Sequence, residues 1–482
     1  MGDARNRLKR RSTGYHLRTL VAAAGALFQA GGCLAEGVIE VREDGAFAHV
    51  RALHEIATAN GGNRAAGTPG YDRSADYVAE RLRDAGYIVR FEEFTFPFFK
   101  ERSPPIVATG WTGSELTPLS AVAIRTLANS GSGEVTARLQ AVDLNLADSA
   151  PPGPSTSGCE ASDFDGFERG AIVLLRRGTC PFQVKVENAT AADAAGVIIM
   201  NEGGPHERTD TFAGMLTRVA SVPVVGMAFE PGRLLASAIS RGDNIVVRVQ
   251  VDAEVGSRTT RNVLADREGD PARTIVIGAH LDSVRDGPGM NDNASGSAAV
   301  LEAALRIAEN AYGSGSRLRF AFWGAEEVGL IGSRHHVNRL SEEERRAIVL
   351  YVNLDMVASP NFGRFVQSAH ETSDGLAATA QRALVAYFRD RNLHVEERVR
   401  ARGRGFGSDD APFAEKGIPT LGLYTGAGEA KDESHTALFG GSAGRPFDPC
   451  YHKACDTIDN IDRVLLEEMS AALSHALGEL TR

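Results

Sequence analysis

Histidines and carboxylates follow apolar runs at several points in the second half of this 482-residue sequence. Residues 279–283 (AHLDS), 323–327 (WGAEE) and 352–356 (VNLDM) each end such a run. With an aspartate in a glycine-rich loop and a histidine near the C-terminus, the set is His280, Asp282, Asp292, Glu326, Glu327, Asp355 and His452. Imidazole and carboxylate groups are the usual ligands and proton carriers of hydrolytic metal sites.

We expect these side chains to meet, because sites in open parallel α/β sheets form beyond the carboxyl ends of the strands. One such residue alone would more often be structural, but a crowded set of carboxylates needs counter-charge. Divalent cations supply it, and imidazole with carboxylate suits zinc. Five ligands with one bridging carboxylate suit two ions about 3.5–4 Å apart that hold a water, whose proton a metal-free carboxylate must take.

Alternating strands and helices must position these groups. The predicted strands are Thr274–Ala279, Arg317–Trp323, Ile348–Leu354 and Pro419–Tyr424. The predicted helices are Ala294–Ala311, Glu327–Leu340 and Ser373–Asp390. A helix at Ser74–Gly86 and a strand at Ile88–Phe96 precede them near the N-terminus. The pattern predicts an α/β fold with a mainly parallel mixed sheet flanked by helices.

The composition changes near Ser103–Pro105, and from there to about Asp252 the chain is rich in short apolar strands, Gly, Ser and Pro. Strands at 171–175 and 195–200 with a helix at 184–194 between them indicate a separate β-rich unit. We predict that it occupies residues 104–251. It would be inserted between an N-terminal part at residues 36–103 and a larger part at residues 252–482.

The first 35 residues have the composition of an export signal. Basic residues precede an apolar stretch at Leu20–Phe28, which is shorter than the roughly 20 residues of a transmembrane helix. Two interpretations stay open: a plain signal peptide cut between Gly32 and Ala35, or a lipoprotein signal with a lipid anchor on Cys33. Either predicts a secreted, periplasmic or cell-surface protein without a transmembrane span.

The other cysteines agree with an oxidising compartment. Of five cysteines, Cys33 lies in the predicted signal, which leaves an even number. The local pairs would be Cys159 with Cys180 and Cys450 with Cys455, although sequence leaves the connectivity open. The formal net charge of -10 argues against nucleic acid as a partner, because phosphate binding needs a basic face.

Several segments together resemble the secreted di-zinc aminopeptidases of clan MH, the bacterial leucyl type above all. They are HLDS (280–283), GPGMNDNASGSAAVLE (287–302), FWGAEEVGLIGS (322–333), NLDM (353–356) and FDPCYHKACDTIDNID (447–462). The resemblance covers about residues 252–482 and the early helix and strand. It implies a phosphorylase/hydrolase-like zinc exopeptidase fold, two Zn²⁺ per chain, and peptide substrates with a free N-terminus and a large apolar first residue such as Leu.

The same resemblance implies a set of metal ligands. His280 and Asp355 would bind one zinc ion. Glu327 and His452 would bind the other. Asp292 would bridge the two ions, and the peptide bond that follows it is expected to be cis.

Catalytic roles fall on residues that bind no metal. Glu326 would act as general base and then as proton donor to the leaving amine. Tyr451 would stabilise the tetrahedral oxyanion, and Asp282 would hydrogen-bond the imidazole of His280. Where some close relatives have an arginine before a Ser-Asp pair, this chain has Gly407, which leaves the positioning of the substrate backbone open.

Residues 158–202 resemble a protease-associated (PA) domain, so the inserted region is expected to be one, with a disulfide matching Cys159–Cys180. It would serve as a lid or rim of the cleft, as a docking surface, or only as a structural addition. Three alternatives to the aminopeptidase remain: a related carboxypeptidase or dipeptidase, a single-zinc acyltransferase of glutaminyl-cyclase type, and a non-catalytic receptor-like homologue. The pair of His280 and His452 argues against the second, and the complete ligand set against the third.

Overall fold

The computed structural model describes residues 45–144, 155–204, 208–309, 315–368, 375–399 and 407–481. The predicted export signal, with Cys33, lies outside the described residues. The helices are α1 (Gly45–Ala59), α2 (Pro69–Asp84), α3 (Phe182–Ala191), α4 (Phe229–Ser240), α5 (Gly296–Glu309), α6 (Ile331–Arg339), α7 (Glu342–Ala347), α8 (Gly375–Arg389), α9 (Asp410–Glu415), α10 (Glu433–Phe439) and α11 (Arg463–Leu480). The strands are β1 (Ile88–Trp111), β2 (Thr117–Pro118), β3 (Ile124–Thr126), β4 (Gly133–Ala141), β5 (Ile172–Arg176), β6 (Gly196–Met200), β7 (Val224–Met227), β8 (Ile245–Arg267), β9 (Thr274–His280), β10 (Arg317–Trp323), β11 (Ile348–Leu354), β12 (Phe365–Ser368), β13 (Glu396–Val399) and β14 (Thr420–Tyr424).

A mixed, mainly parallel sheet forms the centre of the larger part, in the order β13-β12-β14-β11-β9-β10-β8. The four pairs β12–β13, β14–β11, β11–β9 and β9–β10 are parallel. The pairs β12–β14 and β10–β8 are antiparallel. Every residue of β9 is buried, as expected of a strand covered on both faces. The predicted fold class is confirmed.

Helices cover both faces of this sheet. Along β9, Ile275 and Ile277 belong to the core that faces α1, α2, α5, α8 and α11, whereas Val276 belongs to the core on the opposite face. Successive strand residues point to opposite faces, which explains the division. Trp323 and Phe413 fill the second core, with ring centroids 5.9 Å apart. The two cores fix the strand ends that carry the polar residues.

A long two-stranded ribbon leads from this sheet into the inserted region. Strands β1 and β8 pair antiparallel from Ile88–Asp266 to Trp111–Ile245, and the sheet then continues as β8-β4-β5-β6-β7-β3. The predicted strand that ends at Phe96 is therefore too short. Strand β1 passes through Ser103–Pro105 with register shifts there, because proline has no N–H to donate to the ladder.

Two other predictions concern helix starts and disulfides. The predicted helix start at Glu327 is wrong: Gly329 and Leu330 have φ of 114° and 58°, so α6 begins at Ile331. Both local cysteine pairs are joined, Cys159 with Cys180 and Cys450 with Cys455.

Among the described residues, no helix has the length and apolar character needed to cross a bilayer.

Candidate active site

The ends of three adjacent parallel strands bring the predicted site residues together. His280 is the last residue of β9, Asp355 directly follows β11, and Glu326 and Glu327 follow β10. A pocket of about 450 Å³ at this edge is lined by all of these residues and by Asp292, Tyr451 and His452. Asp292 lies in the turn Met290–Ser295 that leads into α5, and the Asp292–Asn293 peptide bond is cis, as expected.

Asp292 lies between the two histidines. Its Oδ1 is 3.3 Å from His280 Nε2, and its Oδ2 is 3.1 Å from His452 Nε2. The other predicted ligands complete two groups around it: Asp355 Oδ1 is 3.3 Å from His280 Nε2, and Glu327 Oε2 is 3.1 Å from His452 Nε2. The five predicted ligands thus form a His280–Asp355 side and a His452–Glu327 side that share one carboxylate.

The buried carboxylates and imidazoles of this cluster shift one another's pKa values. Burial, reinforced by the Asp292 carboxylate, raises the pKa of Glu327 to about 7. Burial opposes protonation of His452, but the carboxylates of Asp292 and Glu327 raise its pKa to about 11. Burial would raise the pKa of Asp292, yet contacts with the two histidines hold it well below its ordinary range. The carboxylates therefore need positive charge beside them, which protonated imidazoles or bound cations can supply.

The donor set fits divalent cations. Potential donor atoms of His280, Asp292 and Glu327 lie within 4.8 Å of one another, and so do those of His280, Glu326 and Asp355. Glu327 Oε1 is buried and, among the described residues, accepts no hydrogen bond. A buried, unpaired carboxylate oxygen beside two imidazoles is the arrangement that a zinc-type ion would satisfy.

Glu326 and Tyr451 are the reactive groups of the pocket that were not predicted as ligands. Burial raises the pKa of the Glu326 carboxyl well above its ordinary range, so it holds a proton more readily than an exposed glutamate. The phenol ring of Tyr451 stacks on His452 with 3.8 Å between centroids. Burial and the nearby carboxylates raise the pKa of Tyr451, which keeps its hydroxyl protonated and able to donate a hydrogen bond.

Asp282 has a different set of contacts from the predicted one. Its carboxylate is 3.8 Å from His280 Nδ1, beyond hydrogen-bond distance, and the closer contact of that nitrogen is the Asp282 carbonyl oxygen at 3.2 Å. The carboxylate instead accepts the backbone N–H groups of Glu326 at 3.1 Å and Glu327 at 3.4 Å. Asp282 therefore orients the imidazole through its backbone and the two glutamates through its side chain.

Several residues at the site have φ values that L-residues rarely adopt. Ala325, directly before Glu326, has φ of 57°, Met356, directly after Asp355, has 54°, and His452 itself has 57°. Such conformations cost free energy and persist only where the surroundings enforce them. Their concentration at the predicted site residues indicates that the fold holds these side chains in imposed positions.

The sequence interpretation missed the residues that hold the ligand loops. Arg64 is fully buried and donates hydrogen bonds to the carbonyls of Leu281, Pro288 (3.0 Å) and Gly289 (2.7 Å), which link the segment after β9 to the Asp292 turn. A charged residue in an early glycine-rich stretch gives no indication of partners that lie more than 200 residues away in the sequence.

Two aspartates beside the Cys450–Cys455 loop were missed as well. Asp448 accepts a hydrogen bond from the Asn291 side chain at 2.6 Å, and Asp456 accepts one from the Asn291 backbone at 2.9 Å. Both lie inside the segment FDPCYHKACDTIDNID, so their position between two ligand-bearing motifs was visible. Asp409 is buried too, and burial with the nearby Asp355 carboxylate raises its pKa to about 8.

The remaining pocket lining is apolar with a few polar groups. Leu330, Met356, Leu423 and Tyr424 contribute apolar surface, and Gly407, the residue at the expected arginine position, also lines the pocket. Residues 400–406, which directly precede Gly407, lie outside the described residues. Met215, from the inserted region, lines the same pocket as His280, Glu326 and Tyr451 and was not predicted.

Comparison with known proteins identifies relatives of both parts. The sequence profile of peptidase family M28 matches residues 262–477, and that of the PA domain matches residues 135–235. An aminopeptidase of Pseudomonas aeruginosa is 40% identical over 444 residues, which are 89% of this chain and 79% of the relative. A Mycobacterium tuberculosis protein named "Probable lipoprotein aminopeptidase LpqL" is 37% identical over 451 residues, 91% of this chain and 85% of that protein.

A solved structure shares the fold over almost the whole chain. The aminopeptidase from Aneurinibacillus sp. strain AM-1 superposes with a TM-score of 0.71 at 26% identity, and the match covers 92% of this chain and 95% of that one.

Proposed function

Because this chain belongs to peptidase family M28 and carries a PA domain, we propose that it is a zinc aminopeptidase that removes the first residue of peptides with a free N-terminus. The observation that carries the proposal is the position of Asp292, with one carboxylate oxygen at 3.3 Å from His280 and the other at 3.1 Å from His452. A carboxylate held between two imidazoles, each beside a further carboxylate, suits a pair of ions better than one.

We assign His280 and Asp355 to one ion, Glu327 and His452 to the other, and Asp292 to both. When bound, the two Zn²⁺ ions supply Lewis-acid polarisation of the scissile carbonyl and lower the pKa of the attacking water. The neutral Nε2 of His280 is available to an ion if its Nδ1–H donates to the Asp282 carbonyl, 3.2 Å away.

The protein's own groups then move the protons. Glu326 accepts a proton from the attacking water and delivers it to the nitrogen of the leaving amine. Its position supports this role, because Glu326 lines the pocket beside His280 and Asp355 and is not assigned to either ion. Tyr451, protonated, donates a hydrogen bond to the oxyanion, and Asp282 holds the backbone of Glu326 in place.

The pocket also supports the choice of substrate end. The pocket carboxylates that are not assigned to metal, Glu326 and Asp410, favour a positively charged α-amine and repel a substrate carboxylate, which argues for N-terminal over C-terminal trimming. The apolar lining by Leu330, Met356 and Leu423 supports a large apolar first residue, for which leucine is the expected choice.

We place the enzyme outside the cytoplasm. The two disulfides support this location, since such bonds persist in oxidising compartments. The name of the Mycobacterium tuberculosis relative supports an exported, lipid-anchored form, for which Cys33 is the candidate residue.

The test is hydrolysis of leucine p-nitroanilide and leucyl peptides beside their N-acetylated forms, with zinc per chain measured in the same preparation. The proposal predicts about two zinc ions per chain, activity on free-amine substrates alone, and loss with a chelator. Release of the C-terminal residue from the N-acetylated peptides would favour a carboxypeptidase instead, and activity confined to dipeptides would favour a dipeptidase. One zinc per chain would contradict the two-ion assignment.

A further inference from the structure

The inserted PA domain contributes Met215 to the catalytic pocket. Met215 lines the same cavity as His280, Asp292, Glu326 and Tyr451, although it lies in a different part of the chain. Its side chain is half-buried, whereas Ala213, Thr217 and Arg218 on either side of it are exposed. Met215 therefore projects from a surface segment into the cavity.

Backbone contacts hold this segment in place. Ala128 N–H donates to the Gly214 carbonyl at 2.8 Å, and Leu216 N–H donates to the Ala128 carbonyl at 3.0 Å, so that Met215 is enclosed by a parallel bridge. The Asn129 side chain donates to the Leu216 carbonyl at 2.6 Å. Leu216 is fully buried in the core of the inserted domain, so this segment is anchored on both sides of Met215.

The inserted domain is itself anchored next to the catalytic loop. At the base of the β1–β8 ribbon, Phe96 and Phe98 are buried in a cluster with Ala325, the residue before Glu326. The Arg258 guanidinium lies 3.3 Å from the centroid of the Phe98 ring and donates to the Gly67 carbonyl at 3.2 Å. These contacts fix the start of the ribbon, and through it the domain that presents Met215.

The position of Met215 relative to the strand ends indicates which part of a peptide it meets. Asn353 and Leu423 line the pocket at the carboxyl ends of β11 and β14 and are both buried, which places them at its inner end. A first residue, with nothing preceding it, fits such an inner end. The exposed neighbours of Met215 mark the open side, through which the rest of the peptide must leave.

We propose that Met215 is a specificity-determining residue whose thioether side chain contacts the residue after the scissile bond and favours a large apolar side chain there. Methionine suits this task, because its unbranched, polarisable side chain adapts to different apolar and aromatic partners. The inference rests on the proposed aminopeptidase activity and assigns the PA domain a direct part in substrate selection.

The test compares release of leucine from Leu-Gly, Leu-Ala, Leu-Leu and Leu-Phe by wild type, Met215→Ala and Met215→Leu. In Met215→Ala, the ratio of kcat/KM for Leu-Phe to that for Leu-Gly is expected to fall about three- to tenfold, mainly through KM. Met215→Leu, which keeps the volume, should restore the ratio to within about twofold of wild type.

Leu234→Ala is the matched control, because Leu234 is an apolar residue of the same domain that is 56% exposed and does not line the pocket. It should leave the ratio unchanged, and zinc per chain should be equal in all variants. An unchanged ratio in Met215→Ala, or an equal loss on all four dipeptides, would overturn the inference while the aminopeptidase activity stands. No release of leucine by wild type would refute the proposed function itself, and the inference with it.

Discussion

The carboxylate of Asp456 accepts a hydrogen bond from the backbone N–H of Asp292, with 3.0 Å between Asp456 Oδ2 and Asp292 N. Asp456 directly follows Cys455, the end of the short loop that carries His452. The loop that carries one predicted ligand is therefore tied to the backbone of another. Because Asp292 is the predicted bridging residue, this contact couples both sides of the metal site to the Cys450–Cys455 loop.

We predict that Asp456→Asn weakens zinc binding about 10–100-fold, the usual effect of losing a group that orients a metal ligand. The N–H groups of Asn291 and Asp292 meet different oxygens of Asp456, so in the asparagine variant one of them would face the amide NH₂ group, which cannot accept a hydrogen bond. Zinc affinity measured by competition with a chelator checks this. Asp459→Asn, an exposed aspartate three residues away, is the control and should bind zinc as wild type does. Equal affinity in the two variants would show that Asp456 does not position the site.

The two disulfides are expected to contribute similarly to stability but differently to metal binding. Removing Cys159–Cys180, which spans 21 residues, should cost about 3 kcal/mol of stability, and removing Cys450–Cys455, which spans 5, about 2 kcal/mol. Only the second loop carries a predicted ligand, His452. The double variant Cys450→Ser/Cys455→Ser should therefore lose zinc affinity, while Cys159→Ser/Cys180→Ser should keep it.

Denaturant unfolding and zinc competition, carried out on both double variants, check this pair of expectations. A loss of zinc affinity in the Cys159–Cys180 variant equal to that in the other would mean that the metal site responds to overall stability and not to its own loop.

Removing Arg64 is expected to destabilise the protein strongly. Its guanidinium is buried and donates to the carbonyls of Leu281, Pro288 and Gly289. Without it the Gly289 carbonyl still accepts the Ala294 N–H, but those of Leu281 and Pro288 lose their donor, at a cost of about 1–3 kcal/mol each. Arg64→Ala should therefore lower the free energy of unfolding by about 3 kcal/mol or more. Arg64→Lys should recover little, since a single ammonium lacks the planar fork of donors.

Denaturant unfolding measures this change, and Arg73→Ala, an exposed arginine in α2, is the control that should change stability little. A lysine variant as stable as wild type would contradict the argument from the guanidinium geometry.

The part of the site that lies at strand ends could be predicted from the sequence. Apolar runs that end in His280, Glu326 and Asp355 could be assigned to parallel strands, and parallel strands bring their carboxyl ends to one edge. The structure has these strands at almost the predicted bounds, for example β10 at Arg317–Trp323 and β11 at Ile348–Leu354. The bounds of these strands follow from hydrophobic periodicity and from the residue types at the turns, which are both local properties of the sequence.

What the sequence could not provide depends on contacts between distant segments. The start of α6 was misplaced because the chain after Glu327 adopts positive φ values at Gly329 and Leu330, which helix propensity does not reveal. The roles of Arg64 and Met215 depend on which segments meet in space. Strand β1 extends past Pro104 only because β8 pairs with it. The pattern of residue types within one segment does not specify which other segment it will contact.

The most direct test of the proposed mechanism is the activity of Glu326→Gln on leucine p-nitroanilide. The amide keeps the shape of the side chain but cannot accept the proton of the attacking water, so kcat/KM should fall about 10²–10⁴-fold. Zinc per chain should stay near two, because Glu326 is not assigned as a ligand. Glu343→Gln, which changes an exposed glutamate in α7, is the control and should keep wild-type activity. A Glu326→Gln enzyme that retains its zinc and hydrolyses the substrate within tenfold of the wild-type rate would contradict the assignment of Glu326 as general base.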